Sequence, residues 1–587
     1  GIALPVGLQE LWQLVVDEGG LNFSAIFLAD LCFGGSASDD EVAALLRAVF
    51  NDKLYFKYKN GELLAHTPEA VEQLLAKREE EGRQEAMLVS GAAALRELWE
   101  GKTVTVPPDC LELLRDYYLF DKEADDFLVA RELLKRAGLT TPHAIFHLLV
   151  KCGQWSEHEN IPLLRAQLPL DFSNEAKAQT TEIIARLGSE DLSVKRADLR
   201  GLPIFTVDGP STRDFDDALH VTKLTDGNFE VGIHISDVAH SIIPGSPLYR
   251  EAEARTTSLY FADGTVPMLP PELSEGALSL LADQDRAALS YIVTLTPAGA
   301  LADYRIVKSV INVKRQLTYE EAENLLSSDS DLQDLAMLSR CLYDNRIEAG
   351  ALVIPIPDVV CRFGVDGAVE RVDLLPVDTP MRLMVAEFMV MANSLAARFL
   401  ADRQEPGLFR SQGPARKRFF KRPDNDIFIL FRQRRFLSRG ILDTTPKRHD
   451  GVGVEQYTTT TSPIRRLLDL VMQRQISGIL AGRGAQFSEL DLRGIAHLIS
   501  AAQSRLNQVR QQRHRYWLLH YLEKHQDGRL AAFVLDKRNR KVQVVLKDFL
   551  LEGELPANQG VHHELGDSIM VKPATVNALD NKLRLEW

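Results

Sequence analysis

The chain is poor in cysteine: five in 587 residues, Cys32, Cys110, Cys152, Cys341 and Cys361, with no CxxC pair and an odd total. That pattern excludes a disulfide framework and a zinc ribbon, and a reducing cytoplasm is the expected compartment. No apolar run reaches the roughly 18 to 20 residues that span a bilayer, so no membrane association is expected. The opening residues lack a basic stretch followed by an apolar core, so no secretory signal is expected. Internal repeats and low-complexity tracts are also missing. Positive charge is in deficit, with 68 Lys and Arg against 82 Asp and Glu and a net charge of −14. Taken as an average, that excludes an indiscriminate polyanion binder.

Hydrophobic content of 45% and charge of 26% are those of an ordinary globular protein. The length predicts about three or four domains. Against this even background, Asp208, Asp214, Asp216 and Asp217 fall within ten residues, flanked by Ile204 to Val207 and Ala218 to Val221, which read as buried strand. Four like charges this close repel unless a cation neutralises them. On a strand Asp214 and Asp216 share a face, and the Gly209-Pro210 turn lets Asp208 fold back towards them. A solvated acidic loop is the plain alternative. A calcium loop is disfavoured, because Ala218 and Leu219 stand where an oxygen ligand and a glycine belong. An all-oxygen donor set that leaves room for water and phosphate suits Mg²⁺.

The charge is also unevenly spread. Between Arg410 and Arg439 lie Arg416, Lys417, Arg418, Lys421, Arg422, Arg432, Arg434 and Arg435, opposed only by Asp424 and Asp426, with Phe419, Phe420, Phe428, Phe431 and Phe436 interleaved. Cations with aromatics can track a nucleic-acid strand, although such a run is more often a solvated face. Arg505, Arg510, Arg513, His514 and Arg515 form a second basic stretch on a long predicted helix ending near Trp517 and Tyr521.

The expected fold class is α+β multidomain. Residues 1–66 show three helices (8–16, 25–31 and 39–50) and a hairpin about Asn60-Gly61, predicting a winged helix-turn-helix. Residues 67–190 read as a helical connecting region without a chemical motif. Residues 191–525 mix strands with long helices as a catalytic domain. Residues 526–587 hold five short strands, predicting an OB-type β-barrel for RNA.

Set together, Thr206 to Ala218, Val266 to Ser274 and Tyr457 to Arg466, with its Ser462-Pro463-Ile464-Arg465 core, resemble the ribonuclease II (RNB) family of processive 3′-to-5′ exoribonucleases. The resemblance implies hydrolysis of single-stranded RNA with a free 3′ end to nucleoside 5′-monophosphates. It implies one or two Mg²⁺, with Mn²⁺ as a substitute, held by Asp208, Asp214, Asp216 and Asp217. Arg465 matches the arginine that meets the scissile phosphate, with Arg466 beside it; pairing with Asp469 is the alternative for both. Tyr260 and Tyr319 match aromatics that hold bases, and Glu387 matches a glutamate near the terminal nucleotide. Phe363 or Cys361 takes the place of a second clamp residue. Three departures stand out: Gln511 where relatives have Glu, Gln473-Arg474 where they have His-Arg, and a helical N-terminal region in place of two cold-shock barrels. A monomer is expected. The alternative is a non-catalytic RNA-binding protein that retains the fold.

Overall fold

The computed structural model describes the chain except residues 1, 18, 20, 193, 424, 526–527, 539–540 and 558–562. Asp424 and the end of the turn expected at 537–540 therefore lie outside the described residues. The chain divides into two compact units, Gly1–Ile161 and Pro162–Trp587.

The first unit opens with helices Leu8–Asp17, Ala25–Phe33 and Asp39–Asp52, close to the predicted spans. Ser24 caps the second helix by accepting from Phe27 N at 3.2 Å, and Ser38 with Glu41 forms a capping box on the third. Asn60 (φ 54°) and Gly61 (φ 89°) turn strand Phe56–Lys59 into Glu62–Ala65, the left-handed pair that a tight hairpin demands. A third strand, Asn22–Ser24, pairs with Glu62–Ala65. Three residues between two helices are too few for a periodicity to announce a strand. Leu11, Leu28, Leu45, Val49, Phe56 and Leu63 form the core of this winged module. Its third helix carries Asp39, Asp40, Glu41 and Asp52 against Arg47, a poor surface for phosphates. Helices Pro68–Trp99, Pro108–Phe120, Phe127–Ala137 and Ala144–Lys151 complete the unit. The expected domain edge at 190 lies within the second unit, which includes helix Asn174–Ser189.

The second unit is built on a seven-stranded sheet in the order Arg315–Thr318, Phe205–Asp208, Asp217–Lys223, Phe229–Ser236, Asp285–Leu295, Leu301–Asn312, Ala197–Asp198. The inner pairs are antiparallel, whereas both edge strands run parallel to their neighbours. Helix Pro380–Ala401 packs in the core with this sheet through Met384, Phe388, Ala392 and Leu395. By length and composition it is apolar enough to cross a membrane, with a mean hydropathy of 1.4, which corrects the expectation that no run reaches that length. Its apolar side chains are instead spent on the core.

Helix Glu489–Glu523 leads to five strands, Leu530–Arg538, Lys541–Leu546, Leu551–Pro556, Ser568–Asn577 and Lys582–Glu586, in a nearly closed antiparallel sheet. At the closure Gly553 makes room for Leu585, because a Cβ there would sit 2.6 Å from Leu585 Cδ1 and the leucine side chain would have to shift. The basic run of 410–439 is not an open phosphate track. Arg422 pairs with Asp344, Lys421 with Glu348, and Arg434 and Arg435 with Glu552, while Arg418 donates to the carbonyls of Gly350 and Ala351. Among the described residues, four of the run's ten cations are thus ion-paired within the unit.

Candidate active site

Antiparallel pairing of Phe205 with Leu219 brings the end of one strand beside the start of the next, so Asp208 meets Asp216 and Asp217. On the other side Thr318 pairs with Asp208, which sets Tyr319, the first residue of helix Tyr319–Leu325, beside the carboxylates. Asp208, Asp214, Asp216, Asp217, Tyr260 and Arg465 all line one cleft of about 590 Å³.

Asp216 is 2% exposed and accepts from Ile464 N at 2.9 Å and Arg465 Nε at 3.0 Å. This joins two segments 248 residues apart. Arg465 lies 5.9 Å from the Tyr260 ring, whose hydroxyl donates to Asp214. Burial pushes the Asp208, Asp216 and Asp217 carboxyls up to about 7, and Arg465 only partly offsets it. Burial alone would lower the Arg465 guanidinium, yet the carboxylates around it hold it above its ordinary value. Burial and then the nearby Asp217 and Asp208 push Tyr319 up to about 12.

This is a cleft with excess buried negative charge and only oxygen donors, which fits a hard divalent cation. Among the described residues, no three carboxylate, imidazole or thiolate groups stand close enough together to coordinate an ion as they are. In this arrangement Asp216 accepts from Ile464 N and Arg465 Nε, and Asp214 accepts from the Tyr260 hydroxyl.

The remaining expected residues fall elsewhere. Arg466 donates to Asp469 at 2.7 Å, and Asp469 also accepts from Ser462 N and Thr459 Oγ1, both at 2.8 Å. Arg466 thus braces the loop that presents Arg465. Glu387 is 2% exposed and ion-paired with Arg346, which excludes a helix-surface charge. Phe363 packs edge-on against Trp517 at 4.8 Å, among residues of the barrel core, and Cys361 is buried in the same cluster. Gln473 donates to Ser236 O at 2.7 Å and accepts from Ala239 N at 2.9 Å, so it holds the end of strand Phe229–Ser236. Gln511 lines a second pocket with Tyr260, Phe261, Ala262, Arg510 and His514. Sequence reading missed Asp263 and Arg513 as a pair; their 250-residue separation leaves no local signal.

Residues 196–482 match the RNB domain model, and residues 71–161 match a double HTH domain. An uncharacterized ribonuclease of Synechocystis is 31% identical over 89% of this chain and 79% of its own length. The chain belongs to the RNB family. Ribonuclease II of Arabidopsis thaliana, chloroplastic/mitochondrial, is 28% identical over 78% of the chain, and ribonuclease R of Chlamydia trachomatis 28% over 68%. This RNB protein spans only 58% and 63% of those two relatives. Among solved structures, the Candida glabrata Dss1 exoribonuclease aligns with a TM-score of 0.72 at 18% identity, over 100% of this chain and 85% of that one. Apo RNase R of Mycoplasma genitalium aligns at 0.65 and 18%, over 73% and 77%. The fold is therefore that of the RNB exoribonucleases. Yeast Ssd1, a pseudonuclease, shares it at 0.52 and 17%, over 71% and 56%.

Proposed function

We propose that this protein is a hydrolytic 3′-to-5′ exoribonuclease that removes nucleoside 5′-monophosphates processively from single-stranded RNA. The observation that carries this reading is the meeting of four aspartates, Arg465 and Tyr260 in one cleft. The family's pseudonuclease member makes a non-catalytic RNA binder the competing reading; the full set of four carboxylates with the arginine favours catalysis.

Asp208, Asp214, Asp216 and Asp217 would hold Mg²⁺, which when bound supplies Lewis acidity and an activated water. Arg465 keeps its charge beside these carboxylates and presents a planar fork to phosphate oxygens, and it lowers the cost of charge that builds up at phosphorus. Ile464 N and Arg465 Nε orient the two Asp216 oxygens. The Tyr260 and Tyr319 rings stack on bases regardless of identity, which suits degradation without sequence preference. Discrimination against DNA then rests on contacts to 2′-hydroxyls.

Incubating 5′-labelled single-stranded RNA and DNA with Mg²⁺ or EDTA is the direct test. A ladder from RNA alone, abolished by EDTA and by Asp216→Asn, is expected, with RNA binding retained in the variant. RNA binding without cleavage by the parent protein would establish the non-catalytic reading instead.

A further inference from the structure

Tyr260 stands on a hairpin too small to hold it. Strands Leu259–Phe261 and Gly264–Val266 have three residues each, and Ala262 and Asp263 form the turn. An isolated two-stranded hairpin is marginal in water, yet the Tyr260 ring, 40% exposed, must be aimed into the cleft. Two distant segments supply what the hairpin lacks. At its base, Ser258 N and Thr257 Oγ1 donate to Arg465 O at 3.0 and 2.9 Å, and Ser258 Oγ accepts from Met268 N at 2.8 Å. At its tip, Asp263 accepts from Arg513 Nε at 3.1 Å and from a terminal nitrogen of the same guanidinium.

Arg513 is an unusual helix residue, only 3% exposed. Its guanidinium lies 4.8 Å from the Tyr516 ring and 4.9 Å from that of Trp517, which is itself 1% exposed. Burial would raise the Asp263 carboxyl, but the Arg513 hydrogen bonds and charge, followed by a hydrogen bond from Trp517, hold it below the usual carboxylate range. A planar fork held by aromatic faces and bonded to a carboxylate through two nitrogens fixes direction as well as distance, which a lysine could not do.

We propose that Arg513 is a positioning residue for Tyr260: through Asp263 it locks the tip of the hairpin to the long helix and so presets the ring for an incoming RNA base. The proposal rests on the reading of Tyr260 as a base-stacking residue. A preset ring spares the RNA complex the entropy of ordering it, so loss of the lock weakens binding through Tyr260 and through nothing else.

The test is a double-mutant cycle in the full chain. RNA carrying 2-aminopurine near its 3′ end is bound in EDTA, where no turnover occurs; the dissociation constant and the fluorescence quenching are read for the parent, Tyr260→Ala, Asp263→Asn and the double variant. Each single change is expected to weaken binding about tenfold, the size of one lost base stack. Asp263→Asn is expected to relieve quenching as Tyr260→Ala does, and the double variant to bind within about twofold of Tyr260→Ala. Arg513→Lys, which keeps the charge without the fork, is expected to behave as Asp263→Asn and stands in for it if that variant does not fold. Effects of Asp263→Asn that multiply with those of Tyr260→Ala, or parental binding and quenching in both Asp263→Asn and Arg513→Lys, would overturn the lock. Parental binding by Tyr260→Ala would instead remove the stacking reading itself.

Discussion

Adjacent arginines in this protein do different work, and their partners tell them apart. Arg465 reaches the cleft through Asp216, whereas Arg466 turns to Asp469, a carboxylate with no exposed side-chain surface. Arg465→Lys should therefore cut turnover by about a hundredfold or more, the usual cost of one lost transition-state donor, with the unfolding temperature near the parent's. Asp469→Ala should act through the fold: a broken buried pair costs about 3–5 kcal/mol, and the low end applies because Arg466 is 36% exposed. Denaturant titration checks the second, and single-turnover kinetics the first. At this scale the aspartate quartet was legible because its spacing is local. The Arg466–Asp469 pair was legible only as the alternative to a phosphate contact, and for both arginines alike, because Ser462, Thr459 and Asp469 converge only when the loop 458–466 closes on its own helix.

Between elements, the strand that begins with Asp217 and its neighbour Phe229–Ser236 are held by an unusually close approach. At Gly232, in strand Phe229–Ser236, a Cβ would fall 2.1 Å from the His220 ring and 2.7 Å from His234. Those imidazoles are stacked and joined by a 2.8 Å hydrogen bond in the sheet that carries Asp217. Burial lowers both and keeps them neutral, His220 to about 4. Gly232→Ala should destabilise the protein by about 1–3 kcal/mol through overpacking, seen as a lower denaturant midpoint. Helix spans and the Asn60-Gly61 hairpin were readable from capping and turn residues. The basic run of 410–439 was read as more often a solvated face than a strand track, but charge spacing does not reveal that Asp344, Glu348 and Glu552 lie opposite it.

For the whole molecule, the cleft's negative charge couples stability to pH and metal. A carboxyl raised from 3.8 to about 7 binds a proton in the folded chain that the unfolded chain has released. Without metal, stability is therefore intact below about pH 4 as far as these groups are concerned and falls as pH rises towards 7, by on the order of 4 kcal/mol for one such group. A bound divalent cation favours the ionised forms and cancels that loss. Thermal unfolding with and without Mg²⁺ should show a larger gain at pH 8 than at pH 6; an equal gain at both would contradict the assignment of these aspartates to the metal.

The sequence by itself determined the winged module, the strand-borne quartet of aspartates, the arginine signature and the terminal five-stranded barrel. Each is written in neighbouring residues, where periodicity, turn chemistry and motif spacing act. Tertiary structure alone decided which cations of 410–439 are ion-paired, that Glu387 is buried under Arg346, and that Arg513 reaches Asp263. Those outcomes depend on contacts between segments from about 40 to 250 residues apart, and burial and pairing at that range are properties of the closed core, not of any local stretch.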